Sequence, residues 1–175
     1  MNKLLINKYE PKFLKDFGFK KEYTEYINSI VKNTELNVLL LGNIGSGKTI
    51  LINAILYEYY NIQDLNIIKN NILYISSLKE QGVSFYKNDV KTFCQSTTEI
   101  YGKKKTIIID NLDMLTDINQ NIFKIHMDTY GKKVNFICSC ANLNKITSIL
   151  LNHFIVVKIK SINKDFLKNI LNKIC

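Results

Sequence analysis

A chain of 175 residues, 46% of them hydrophobic, can bury one sizeable core but is too short for two ordinary domains, so one main domain is expected. No apolar run approaches membrane-spanning length and residues 1–10 carry charge where a secretory signal would be apolar, so the expectation is a soluble cytoplasmic or nuclear protein without a membrane partner. The formal net charge is +9 and all 24 basic residues are lysine, which leaves the chain without the side chain that usually grips phosphate bidentately and serves as the finger in phosphoryl transfer.

In chain order, helical spacing of apolar residues predicts a helix over 22–32, then a β-favouring run over 37–41, a helix over 48–60 and an exposed loop over 61–71. Strand-like runs follow at 72–75, 106–109, 134–138 and 154–159, separated by helical segments at 83–94 and 119–130, and a last helix is read over 164–173. Strands alternating with helices predict a parallel α/β sheet. Pro11 is the one proline, and no Gly/Ser-rich linker or internal repeat divides the chain. Cys94, Cys138, Cys140 and Cys175 lack metal-ligand spacing and read as reduced thiols, Cys138 and Cys140 sharing one face of an apolar stretch. Abundant Asn, Ile and Lys fit an AT-rich genome. The lysine surplus points to an anionic partner such as nucleic acid, or to a solvated charged surface.

The residues that carry chemistry begin at the first strand. Gly42-Asn43-Ile44-Gly45-Ser46-Gly47-Lys48-Thr49 fits a phosphate-binding loop and has the strand before it and helix after it that such a loop requires. Glycines let backbone amides curl around phosphates, and the helix N-terminus adds partial positive charge. Lys48 reaches the β/γ-phosphates, the Thr49 hydroxyl ligates magnesium, and Ile50 follows on the opening turn. Thr106-Ile107-Ile108-Ile109-Asp110 is a buried-type strand ending in an acid, the second element of a magnesium site in P-loop proteins, although a turn aspartate before a helix has the same appearance. ATP and Mg²⁺ are therefore the expected ligands.

On these residues and the motifs around them, the sequence resembles the small subunits of replication factor C, the AAA+ clamp loader of archaea, eukaryotes and many large DNA viruses. Asn7-Lys8-Tyr9-Glu10-Pro11 is similar to the family's N-terminal E-K-Y-R-P, and Glu80-Gln81-Gly82-Val83 lies in a segment similar to L-N-A-S-D-E-R-G-I. Asp110-Asn111-Leu112-Asp113-Met114-Leu115-Thr116 resembles D-E-A-D-x-L-T, and Asn119-Gln120 and Met127-Asp128-Thr129-Tyr130 continue in step. Residues 136–146 resemble the sensor 1 strand. The resemblance implies an AAA+ P-loop NTPase core over 1–162, a five-stranded parallel sheet with helices on both faces, and the start of a truncated helical lid over 163–175. It implies nucleotide at the carboxyl ends of the strands, with Tyr9 and Pro11 beside the adenine. It also implies other clamp loader subunits, a sliding clamp and the DNA backbone as partners.

The departures from the pattern bear on turnover. Asn111 takes the place of the glutamate that activates water, and an amide cannot accept that proton. Ala141 falls where the sensor asparagine is expected, with Asn142 one residue late, on the other face unless the strand has ended. His153 aligns with the arginine finger, whose charge and fork a neutral histidine lacks. By the same resemblance Lys87, Lys91 and Lys124 face DNA phosphates, while Lys103-Lys104-Lys105 reads as a solubilising loop. The expected function is a clamp-loader-like subunit that binds ATP and DNA with weak intrinsic hydrolysis. Alternatives are a non-catalytic P-loop interaction module and a small P-loop kinase, for which an arginine-bearing lid is expected and none exists.

Overall fold

The computed structural model describes residues 10–32, 36–62, 65–77 and 82–159. Tyr9, Glu80, Gln81, Cys175 and the expected lid over 163–175 lie outside the described residues. Two compact units are distinguished among the described residues, one of 36–48, 65–77 and 82–159 and the other of 10–32 and 49–62.

The first unit is built on the strands. β1 (Asn37–Leu41), β2 (Ile72–Ser76), β3 (Lys105–Asp110), β4 (Val134–Cys140) and β5 (Ile155–Lys158) form one sheet in the order β2-β3-β4-β1-β5. Every pairing is parallel. The central strands are apolar at consecutive positions because a parallel strand in mid-sheet is buried on both faces, and all seven residues of β4 are buried. The sheet thus matches the five parallel strands expected. β4 extends two residues beyond the predicted stop, because Ser139 and Cys140 continue the ladder with β1.

Alternate residues of these strands point to one face and build the core. Leu39, Ile75, Ile107, Ile109, Phe136 and Cys138 cluster there with Tyr86, Val90, Ile122, Phe123 and Met127. Phe123 meets Phe136 edge-on at 5.2 Å between ring centroids, and fully burying each such side chain contributes about 1.5–3 kcal/mol. The helices that supply the covering residues are α3 (Val90–Gln95) and α4 (Asp117–Tyr130). A π turn, Phe85–Asp89, leads into α3. In that widened turn the carbonyl of Tyr86 accepts a hydrogen bond of 2.7 Å from Nε2 of the buried His126. α4 starts where Thr116 caps the amide of Asn119. A short helix, α5 (Ser148–Leu151), precedes β5.

Two expectations are corrected in this unit. Residues 61–71 are not simply an exposed loop, since Leu65–Asn71 forms a 3-10 turn in which Ile68 and Asn71 are buried. Asn71 Oδ1 accepts from the Thr98 hydroxyl and the Glu99 amide, so the side-chain oxygen of a residue that reads as loop is satisfied by hydrogen bonds inside the fold. Lys105 is likewise no solubilising residue. It is 7% exposed, its ammonium donates to Ser96 Oγ at 2.6 Å and lies over the Phe93 ring, and Lys104 donates to the Gly131 carbonyl.

In the second unit a 3-10 turn, Leu14–Phe17, ends at Gly18 in the left-handed conformation, and its Asp16 carboxylate accepts from the Phe13 amide. α1 (Lys21–Val31) follows, burying Tyr23, Ile27, Ile30 and Val31 at helical spacing. Phe19 stacks on Phe17 and meets Tyr23 edge-on, which joins the turn to the helix. α2 (Lys48–Tyr60) is apolar around most of its circumference and is buried at Leu51, Ile52, Ala54, Ile55 and Leu56. Tyr59 and Tyr60 are buried as a T-shaped pair, in keeping with a packing role.

Candidate nucleotide and metal site

The site is assembled at the carboxyl ends of β1, β3 and β4. After Leu41 the chain turns through Gly42 to Gly47, anchored where the Gly42 amide donates to the Cys140 carbonyl and the Ser46 amide donates to the Asn43 carbonyl. Gly45 and Gly47 have φ of 78° and 85°, the left-handed region that a side chain would strain, and open space surrounds both positions. At Gly42 the constraint is space, since a Cβ there would lie 2.6 Å from Ser46 Oγ and that hydroxyl would have to move. That hydroxyl is buried and has no hydrogen-bond partner among the described residues. Lys48, 7% exposed, folds over the loop and donates to the carbonyls of Gly42 at 2.8 Å and Asn43 at 2.9 Å. An ammonium has three donors, so a third remains for a phosphate oxygen. Ile44 is exposed at the tip and Asn43 is exposed beside it, while Thr49 and Ile50 stand on the first turn of α2. Pro11 is half-buried ahead of the Leu14–Phe17 turn.

Asp110 ends β3, and register explains its surroundings. Ser76 pairs with Asp110 across β2 and β3, and Ile109 pairs with Cys138, so Asp110 has β2 on one side and Ser139 of β4 on the other. The Tyr74 hydroxyl donates to Asp110 Oδ2 at 2.8 Å, and the Ser139 hydroxyl makes a short hydrogen bond to Oδ1. The Asp110 backbone carbonyl accepts from Ser77. Burial first, then the bond to Asp110, raises the Tyr74 phenol well above its usual range, so it is a donor at any physiological pH.

Beyond Asp110 the chain bends sharply. Asn111 sits at φ 60°, ψ 56°, a left-handed conformation that asparagine tolerates better than most residues, and its amide donates to Ser139 Oγ at 3.0 Å. A 3-10 turn, Leu112–Met114, carries Asp113 inward to 8% exposure. There Oδ2 accepts from the amides of Ala141 and Asn142, at 3.3 and 3.1 Å. β4 has ended by then, so the face-switching argument no longer governs Asn142. Its side chain instead caps the turn Leu143–Lys145 by accepting from the Asn144 amide. Gln120, fully buried, joins the same two segments by donating to the carbonyls of Leu115 and Lys145 and accepting from the Thr147 amide.

His153 lies elsewhere in this unit. Its Nε2 is 3.3 Å from Asp128 Oδ1, and the other oxygen of Asp128 pairs with Lys124 at 2.6 Å. The hydrogen bond from Lys124 is the main reason the Asp128 carboxyl titrates below its usual range. Lys87 and Lys91 are exposed, on the π turn and on α3. Sequence reasoning misses Tyr74, Ser139 and Asp113 as residues that frame the site. Ser139 and Tyr74 become findable, as hydroxyls in apolar strands on the face of Asp110, once register is known.

Comparison with known proteins agrees with this geometry. Residues 38–160 match the family model described as ATPase family associated with various cellular activities (AAA). The chain is 26% identical to a replication factor C small subunit of Picrophilus torridus over 99% of its own length and 54% of the relative's. It is 24% identical to replication factor C subunit 2 of Oryza sativa subsp. japonica, over 97% and 52%. The chain therefore spans about half the length of these curated relatives. Among solved structures, a variant of RuvB from Thermotoga maritima superposes with a TM-score of 0.70 at 18% identity, covering 94% of this chain and 53% of that one. A DNA polymerase III gamma subunit-related protein from the same organism gives 0.66 at 12% identity, covering 85% and 48%.

Proposed function

The chain belongs to the AAA family of ATPases, and from that premise we propose that it is a clamp-loader-like subunit that binds MgATP and the DNA backbone and hydrolyses ATP weakly by itself. The observation that carries the nucleotide half is the loop around Gly42–Lys48 beside Asp110, on strand ends separated by one strand. The open cradle at Gly45 and Gly47, the unpartnered Ser46 hydroxyl and the Lys48 ammonium fit a polyphosphate. Asp110 has the carboxylate oxygens that magnesium favours, and the Thr49 hydroxyl, on the residue after Lys48, is an oxygen ligand of the same hard class. The chemistry supplied by the metal when bound is neutralisation of charge on the β- and γ-phosphate oxygens.

The chain's own residues would bind and orient the triphosphate but move protons poorly. Asn111 has no basic atom for the attacking water, and its left-handed backbone is fixed by Ser139. His153 is engaged with Asp128. These features also favour a second reading, in which nucleotide is a structural ligand of an interaction module. The clamp-loader assignment, with other subunits, a sliding clamp and DNA as partners, is supported by the replication factor C relatives.

Thermal unfolding with MgATP tests the site. At a hundredfold excess over Kd the bound state should be stabilised by about 2.7 kcal/mol, and Lys48→Ala should lose most of the shift. Equal midpoint shifts in the two proteins would exclude phosphate binding at this loop.

A further inference from the structure

We infer that Tyr74 is a positioning residue for the metal-binding carboxylate, its hydroxyl and that of Ser139 holding Asp110 from the two neighbouring strands. The inference rests on the reading of Asp110 as a magnesium ligand. Tyr74 projects from β2 on the face that carries Asp110, because Tyr74 pairs with Ile108, two residues before Asp110 on β3. The residue is 46% exposed, so burying an aromatic is not its main role, yet its hydroxyl is committed to Oδ2 at 2.8 Å. Ser139 engages Oδ1 from the opposite side while also receiving the Asn111 amide. Each carboxylate oxygen has two acceptor positions, so a donor arriving at each oxygen from a neighbouring strand fixes the plane of the group. Hydrogen-bonded supports of this kind set the orientation of a ligating carboxylate, and their loss typically lowers metal affinity or activity about 10–100-fold. Tyrosine suits the position because its rigid ring brings the hydroxyl across from the adjacent strand, whereas the shorter Ser139 reaches Asp110 directly.

The test is the affinity for ATP in magnesium divided by that in EDTA, measured by equilibrium titration on wild type, Tyr74→Phe and Asp110→Asn. Phenylalanine keeps the ring and removes only the donor. Tyr74→Phe should leave the EDTA affinity unchanged and reduce the ratio by about tenfold, and the spectrum of bound Mn²⁺ should broaden as the carboxylate gains freedom. An unchanged or increased ratio in Tyr74→Phe, with a normal response of Asp110→Asn, overturns the positioning role alone. If the wild-type ratio is one, or Asp110→Asn leaves it unaltered, the metal reading of Asp110 fails and the inference fails with it. A loss of affinity in EDTA equal to the loss in magnesium would mark Tyr74 as a general structural support and also overturn the proposal.

Discussion

At the scale of single residues, the site separates binding groups from reacting ones. Lys48 is held within hydrogen-bond reach of its own loop carbonyls, so it enters a phosphate site already oriented. Asn111 contrasts with it. The left-handed backbone at Asn111 and the bond from its amide to Ser139 place a side chain beside Asp110 that cannot act as a general base. The isolated chain should therefore release phosphate at or near background, and Asn111→Glu should raise the rate only slightly while His153 remains paired with Asp128. A phosphate-release assay at high protein concentration checks both. A wild-type rate on the order of 1 s⁻¹, within the range of competent enzymes, would mean that another group supplies the base.

At the scale of elements, helix surfaces decide which lysines are available to DNA. Lys87 and Lys91 project from one exposed stretch, whereas Lys124 is paired with Asp128 one turn along α4. Each phosphate neutralised adds about 0.9 to the slope of log affinity against log salt. Changing Lys87 and Lys91 together to glutamine should lower that slope by about 1.8, and adding Lys124→Gln should change it little, because Lys124 must first leave Asp128. A few such contacts should hold any duplex binding to the non-specific range of roughly 10⁻⁴–10⁻⁶ M at physiological salt. The measurement is duplex binding by fluorescence anisotropy across a salt series. If changing Lys103 and Lys104 lowers the slope more than changing Lys87 and Lys91, the DNA-facing surface has been misassigned.

At the scale of the whole molecule, the interior titrates in a way that links stability to pH. Burial pushes the thiols of Cys94 and Cys140 up to about 12 from a usual value of 9.0, and burial raises Cys138 as well. Near Cys140 the charge of Asp113 adds to the rise and that of Lys48 opposes it. Between the two values the unfolded chain has lost the proton and the folded chain keeps it, so stability should be full below pH 9.0 and fall as pH rises toward 12. Denaturant midpoints taken from about pH 8 to about pH 11 test this. The Cys94→Ala/Cys140→Ala protein should show a shallower fall than wild type. A thiol reagent near neutral pH should modify the three buried cysteines only on unfolding. Rapid labelling of Cys94, Cys138 or Cys140 in the native protein would show that the core opens.

Local sequence was enough to specify the strand–loop–helix at Gly42–Thr49, the acid at the end of β3 and the parallel α/β class. Each depends on local spacing, on glycine's access to positive φ or on runs of apolar residues that a buried parallel strand requires. The resemblance also marked Asn111, Ala141 and His153 as departures from the family's pattern, an expectation that rests on amide, methyl and imidazole chemistry alone. The surroundings of Asp110 emerge only in three dimensions. Tyr74 and Ser139 are far from it in the chain, and strand order and register bring their hydroxyls to its two oxygens. The burial of Lys105 follows the same rule, since local polarity predicts exposure until a partner satisfies the polar group inside. Folding likewise separates Lys124 from the other two lysines, because pairing with Asp128 depends on side-chain geometry as well as on spacing along α4.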